Sequence, residues 1–211
     1  MSYIEIKNLT KSIKGNMVLD NININLSNGK IYGFIGRNGS GKTMLFRAIC
    51  GLIRPTAGNV TIDGKIISKD IDFPESCGAV LETPGFWDNQ TGLECLKNIA
   101  SIKSIINKDI ISQWMLKLGL DPKDKKIFKK YSLGMKQKLA LIQALMESPD
   151  LIILDEPTNS LDEESVFILR DILKKERERG ATILLSSHNK TDIEELSDKI
   201  FKIDAGKVKE V

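Results

Sequence analysis

The sequence predicts an α/β fold, with a mixed, largely parallel central sheet covered by helices on both faces. Three observations carry that prediction. Strand-like and helix-like stretches alternate along most of the 211 residues. The runs Ile31 to Ile35, Leu151 to Leu154 and Thr182 to Leu185 are almost continuously apolar, as strands buried on both faces are. The first of these runs feeds Gly36-Arg37-Asn38-Gly39-Ser40-Gly41-Lys42-Thr43 and then Met44 to Ile49, a helical stretch. Strand, glycine-rich loop and helix form the context in which G-x-x-x-x-G-K-[ST] cradles a phosphate.

Taken in order, Tyr3 to Lys7 alternate as a strand. So do Asn21 to Leu26, with Ile22, Ile24 and Leu26 on one face and three asparagines on the other, which predicts a half-exposed, antiparallel N-terminal sheet. Ser27-Asn28-Gly29 is a turn before the buried strand at Ile31. Pro55 to Gly58 break the chain after the first helix, and Asn59 to Lys65 return it to the antiparallel part. Cys77 to Leu81 read as a further buried strand. From Thr91 to about Leu120 the spacing is helical, with Leu93, Leu96, Ile99, Ala100 and Ile102, then Ile110, Ile111, Trp114, Met115 and Leu118 recurring every three to four residues. Asp121 to Lys130 form a basic connector that reads as a solvated surface, with a docking or anionic-lipid role as the alternative. A helix from about Gly134 to Met146 precedes the strand at Leu151. The next helix has Asp162, Glu163 and Glu164 at its start, basic residues near its end and Gly180 as its stop, with Val166, Leu169, Ile172 and Leu173 facing inward. Ile200 to Ile203 and Lys207 to Val211 predict an edge hairpin around Ala205-Gly206. The expected organisation is one domain over 1–211, with a helical subdomain at about 86–146 inserted in the α/β core.

Composition narrows the function classes. Hydrophobic residues make up 41% and charged residues 28%, ordinary for a globular chain. A net charge of +3 is too small to argue for a nucleic-acid partner. No apolar run approaches the ~18 to 20 residues that span a bilayer, and no signal peptide opens the chain. Cys50, Cys77 and Cys95 are scattered, odd in number and without metal-ligand spacing, so a reduced cytoplasmic compartment is expected.

The loop's glycines let successive backbone N–H groups point at one anion, and the helix beginning at about Gly41 adds the positive end of its dipole. Lys42 is expected to reach the β- and γ-phosphates, and the Thr43 hydroxyl to hold Mg²⁺. Kinases, GTPases and ATPases all share such a loop. Leu151-Ile152-Ile153-Leu154-Asp155-Glu156 discriminates between them: Asp155, at a buried strand end, can hold Mg²⁺, and Glu156 suits an enzyme that must activate water.

Tyr131-Ser132-Leu133-Gly134-Met135, just before a helix, resembles the Leu-Ser-Gly-Gly-Gln signature of ATP-binding cassette (ABC) proteins. Gly36 to Thr43, Asp155-Glu156, Asn159 to Asp162 and Ser187-His188 stand around it in that family's order and separations, across essentially the whole chain. The resemblance implies a P-loop NTPase that binds ATP through Gly36 to Thr43 and Met44, with Lys42, Glu156 and His188 catalytic and Thr43 and Asp155 at the metal. It implies that two cassettes pack head to tail, an ATP-dependent homodimer in which Ser132, Leu133, Gly134 and Met135 meet the partner's nucleotide. Asp162 resembles the D-loop aspartate, and the lone His188 the switch histidine.

Three positions depart from the family pattern. Ile13 stands where an aromatic usually stacks on adenine and offers only apolar contact. Leu133 and Met135 replace glycine and glutamine of the signature. Glu82 replaces the Q-loop glutamine, and as a carboxylate it can accept hydrogen bonds and join the metal but cannot donate. Glu82-Thr83-Pro84-Gly85-Phe86 resembles ATPase subunits of bacitracin-export and lantibiotic-immunity transporters. The expected function is ATP hydrolysis at the inner face of the cell membrane, driving separately encoded permease subunits and peptide-antibiotic export or immunity. A soluble ABC ATPase acting on DNA or ribosomes, and a nucleotide-sensing module without turnover, are the alternatives. Co-purification with a polytopic membrane protein separates the first alternative, and phosphate release the second.

Overall fold

The computed structural model describes residues 2–81, 85–187 and 190–211. The chain opens with a long hairpin, β1 (Ile4–Ile13) and β2 (Asn16–Leu26). Its turn residues Lys14 and Gly15 both have positive φ, 49° and 83°, the two-residue turn whose twist matches the strands it joins. With β4 (Ala57–Ile62) and β5 (Lys65–Ile66) the hairpin forms an antiparallel sheet in the order β2-β1-β4-β5. Its strands are longer than the alternation predicts. Register shifts after Ile6, Leu9 and Lys11 break the two-residue period, so the sequence pattern fades where the pairing continues.

Between these strands lie β3 (Ile31–Ile35) and α1 (Lys42–Ile49). β3 sits inside a second, six-stranded sheet with β6 (Cys77–Val80), β7 (Leu151–Asp155), β8 (Thr182–Ser186), β9 (Lys199–Asp204) and β10 (Lys207–Glu210), in the order β10-β9-β3-β8-β7-β6. Five strands are parallel, and β10 returns antiparallel on β9 through Ala205 and Gly206, both at positive φ. The expected edge hairpin is therefore present.

Alternate residues of the parallel strands point into two apolar cores. Leu151, Ile153, Leu184, Tyr32 and Phe34 meet α1 and the antiparallel sheet. Ile152, Leu154, Ile183, Leu185 and Ile31 face the helices on the other side. Those helices are α2 (Gly92–Lys103), α3 (Lys108–Lys117), α4 (Leu133–Leu145), α5 (Glu163–Arg179) and the short α6 (Lys190–Leu196). The helical stretch expected from Thr91 to Leu120 is two helices. Ser104 turns left-handed at φ 55°, and the Asn107 side chain caps α3 by accepting from the Asp109 and Ile110 amides. Ile102, expected to face inward, is 81% exposed because it lies in the last turn before that break. Val166 is only half-buried, and Ser165 takes the buried position beside it.

α4 crosses β6 closely enough to require glycine. A Cβ on Gly78 would lie 1.8 Å from the Ala144 carbonyl oxygen, a backbone atom that cannot swing aside. Gly78→Ala is expected to lower stability by about 3 kcal/mol, measured as a shift in the urea midpoint. An unchanged midpoint would contradict this packing.

Candidate functional site

The parallel strands β3, β7 and β8 end at one edge of the sheet, where ligands of open α/β folds gather. The loop from β3 to α1 curls because its glycines occupy places that side chains cannot. A Cβ on Gly36 would sit 2.3 Å from the Ile203 carbonyl, and Gly41, the cap of α1, has φ 114°. Lys42 is only 6% exposed, and its ammonium donates to the Gly36 carbonyl at 2.7 Å and the Arg37 carbonyl at 3.3 Å. The cation is thus folded over the mouth of its own loop. The Thr43 hydroxyl donates to one Asp155 carboxylate oxygen, and the Ser186 hydroxyl to the other. These contacts join α1, β7 and β8.

Glu156 follows with φ 52°, left-handed for a residue that carries a Cβ. Its amide is held by the Ser186 carbonyl at 3.2 Å and the Ser186 hydroxyl at 3.0 Å. A turn fixed from two sides is how such a conformation persists, and conformations of this kind cluster at active sites. Arg37 to Met44, Asp155 and Glu156 line one open depression together with Val18 of β2. Sequence reasoning brought all of these together except Val18 and Ser186. Ser186 has a signal, a hydroxyl at the end of a buried strand; Val18 has none apart from its strand.

Ile13 is not among the lining residues of the depression. It ends β1, 39% exposed, paired with Asn16 across the hairpin. The residue that β2 sends to the depression is Val18.

The segment Ser132 to Met135 also lies outside that depression. Ser132 caps α4 by accepting from the Met135 amide at 3.2 Å, and Leu133 is 60% exposed. Gly134 is packed so closely that a Cβ would stand 2.7 Å from the Ser160 carbonyl. Gln137 donates to the Pro157 carbonyl at 3.0 Å, and Lys138 pairs with Asp162 at 3.0 Å. The start of α4 is therefore strapped to the segment that follows Glu156. Asp162 itself caps α5, accepting from the Ser165 amide at 2.8 Å and hydroxyl at 2.7 Å. Those two donors, and then Lys138, hold its carboxyl well below the usual range. The acidic run Asp162-Glu163-Glu164 was the readable signal for that helix start. Glu82 and His188 lie outside the described residues. Among the described residues, no three His, Cys, Asp or Glu side chains gather into a metal-binding cluster. No helix of the described residues is long and apolar enough to cross a membrane.

Residues 19–159 match the family model described as ABC transporter. The chain is similar to the uncharacterized ABC transporter ATP-binding protein YybJ of Bacillus subtilis (strain 168), with 45% identity over 205 residues, covering 97% of this chain and 94% of that one. It is 40% identical over 199 residues to the bacitracin transport ATP-binding protein BcrA of Enterococcus faecalis, covering 93% of this chain and 65% of that longer one. A solved structure described as the ATP binding subunit of an ABC transporter superposes with a TM-score of 0.90 at 26% identity, over 99% of this chain and 88% of that one. With a matched model spanning the glycine loop and the Asp155-Glu156 strand end, the chain belongs to the ABC transporter family and is one of its ATPase subunits.

Proposed function

We propose that ATP lies along the depression with its phosphates on the Gly36-to-Thr43 loop, Met44 beside them and Val18 toward the base, the base extending beyond the depression to the apolar Ile13. The observation that carries this reading is the joining of Thr43 to Asp155, with Lys42 and Glu156 at the same sheet edge. The loop amides and the start of α1 bind the triphosphate, and Lys42 exchanges its carbonyl partners for phosphate oxygens. Thr43 and Asp155 bring two hard oxygen donors into contact, a set that fits Mg²⁺ shared with phosphate oxygens. Held by Thr43 and Asp155, Mg²⁺ would supply positive charge against the triphosphate. Glu156 accepts the proton of the attacking water, and His188 holds that water against the γ-phosphate.

Ser132 and Gly134 lie outside the depression at a helix start where Ser132 is exposed, which supports their service to a nucleotide held by a second copy of the chain. Leu133 and Met135 flank them in that interface, and Asp162 stands at its edge. The chain forms one domain with the helical segment of about 86–146 as a subdomain, and works at the inner face of a membrane on separate permease subunits. Likeness to a bacitracin transport protein supports a peptide-antibiotic cargo. Phosphate release from Mg-ATP by the purified chain, and its co-purification with a polytopic membrane protein, test this reading. A chain that binds ATP without releasing phosphate, alone or with its partner, would contradict it.

Glu82 puts a carboxylate where the ABC family pattern has the Q-loop glutamine. We propose that it ties the metal to the loop that meets the permease. Glu82→Gln is then expected to require more Mg²⁺ for half-maximal ATPase activity, in a titration at fixed ATP. Superimposable curves would remove the metal role.

A further inference from the structure

The basic connector is not a loose loop. Phe128 is buried, with its ring 5.2 Å from that of Phe86 and 6.0 Å from that of Tyr131. Its amide donates to the Gln90 carbonyl at 2.7 Å, and the Lys129 amide to the Asp88 carbonyl at 3.0 Å. Ile127 bridges Thr91. On this fixed platform Lys123, Lys125, Lys126, Lys129 and Lys130 are all exposed. Residues 121–130 hold five lysines and two aspartates, a net charge equal to the +3 of the whole chain. Both aspartates turn an oxygen to the backbone: Asp121 accepts from the Lys123 amide at 2.8 Å and Asp124 from the Lys126 amide at 2.9 Å. None of the five lysines forms an ion pair among the described residues. The nearby Glu94 is occupied by the amide and hydroxyl of Thr91, with Lys125 and Lys97 adding to the fall of its pKa.

We infer that this platform is a contact surface for the anionic headgroups of the membrane beside the permease. The inference rests on the peripheral placement proposed above and deepens it. Three features favour a lipid surface over an acidic protein segment. The patch is built from lysine alone, and no arginine occurs between Arg54 and Arg170. Lysine is a flexible point charge suited to a diffuse anionic plane, whereas paired carboxylates are better matched by the planar fork of arginine. Trp87, 50% exposed, lies on the stretch against which the platform is pinned, and tryptophan beside lysine is the composition of a membrane interface. Finally, the platform is fastened to residues 88–91, a few residues after Glu82, whose loop is proposed above to meet the permease.

The test is co-sedimentation of the purified chain with phosphatidylglycerol vesicles and with phosphatidylcholine vesicles, at low and high salt. The wild type is expected to favour the anionic vesicles by about tenfold or more, with the preference lost at high salt. A variant with all five lysines changed to Gln is expected to lose that preference while keeping its lipid-free ATPase rate within about twofold, which also shows that it folds. Lys11→Gln with Lys14→Gln, on the remote hairpin, is the control and should retain the preference. Equal binding of the wild type to both vesicles, or an unchanged preference in the five-lysine variant, overturns the inference. So does a five-lysine variant that loses only its affinity for the detergent-purified permease, because the partner is then an acidic protein segment. Failure of the peripheral placement itself appears separately, as absent co-purification with a polytopic membrane protein.

Discussion

Glu156→Gln is expected to bind ATP about as tightly as the wild type and to hydrolyse it about 10² to 10⁴ times more slowly, the usual loss when a general base is removed. The substitution is close to isosteric, and the Glu156 amide is held by the Ser186 carbonyl and hydroxyl, so the left-handed turn should persist. What disappears is the carboxylate that takes the water's proton. Phosphate release under saturating Mg-ATP, paired with a fluorescent-nucleotide titration, separates chemistry from binding. A rate within about tenfold of wild type would assign the base elsewhere.

Lys42→Ala is expected to weaken ATP binding by about tenfold to a hundredfold, the effect of losing charge-assisted hydrogen bonds to the phosphates. The nucleotide-free geometry adds a second consequence. The ammonium bonds the Gly36 and Arg37 carbonyls, so its loss also removes a clasp across the loop. The variant should therefore melt below the wild type even without nucleotide, and gain less from added ATP than the wild type does. Affinity within about threefold of wild type would contradict the loop's role.

Much of this was legible in sequence because the informative features are local. The glycine loop, the apolar strand before Asp155 and the caps at Asp162 and Gly180 are each written within a few residues. What escaped reading was non-local. The Ser186 hydroxyl joins Asp155 and Glu156 only because β7 and β8 are neighbours in register, with Asp155 opposite Ser186. Val18 reaches the depression because β2 extends past its bulged pairing, and nothing in an isolated strand announces that. The straps from Gln137 to Pro157 and from Lys138 to Asp162 join residues twenty or more apart. The break between α2 and α3 was missed for a different reason: the apolar period resumes after Asn107 and hides the left-handed Ser104.

The central claim is that one chain holds only part of each ATP site and a second copy supplies Ser132 and Gly134. Light scattering of Glu156→Gln with Mg-ATP tests it most directly. The arrested protein is predicted to double from its 23.5 kDa monomer mass with Mg-ATP and to return to it with ADP. A Ser132→Arg substitution should prevent the doubling without weakening ATP binding to the monomer. A mass that stays at 23.5 kDa at saturating ATP and high protein concentration would contradict the account.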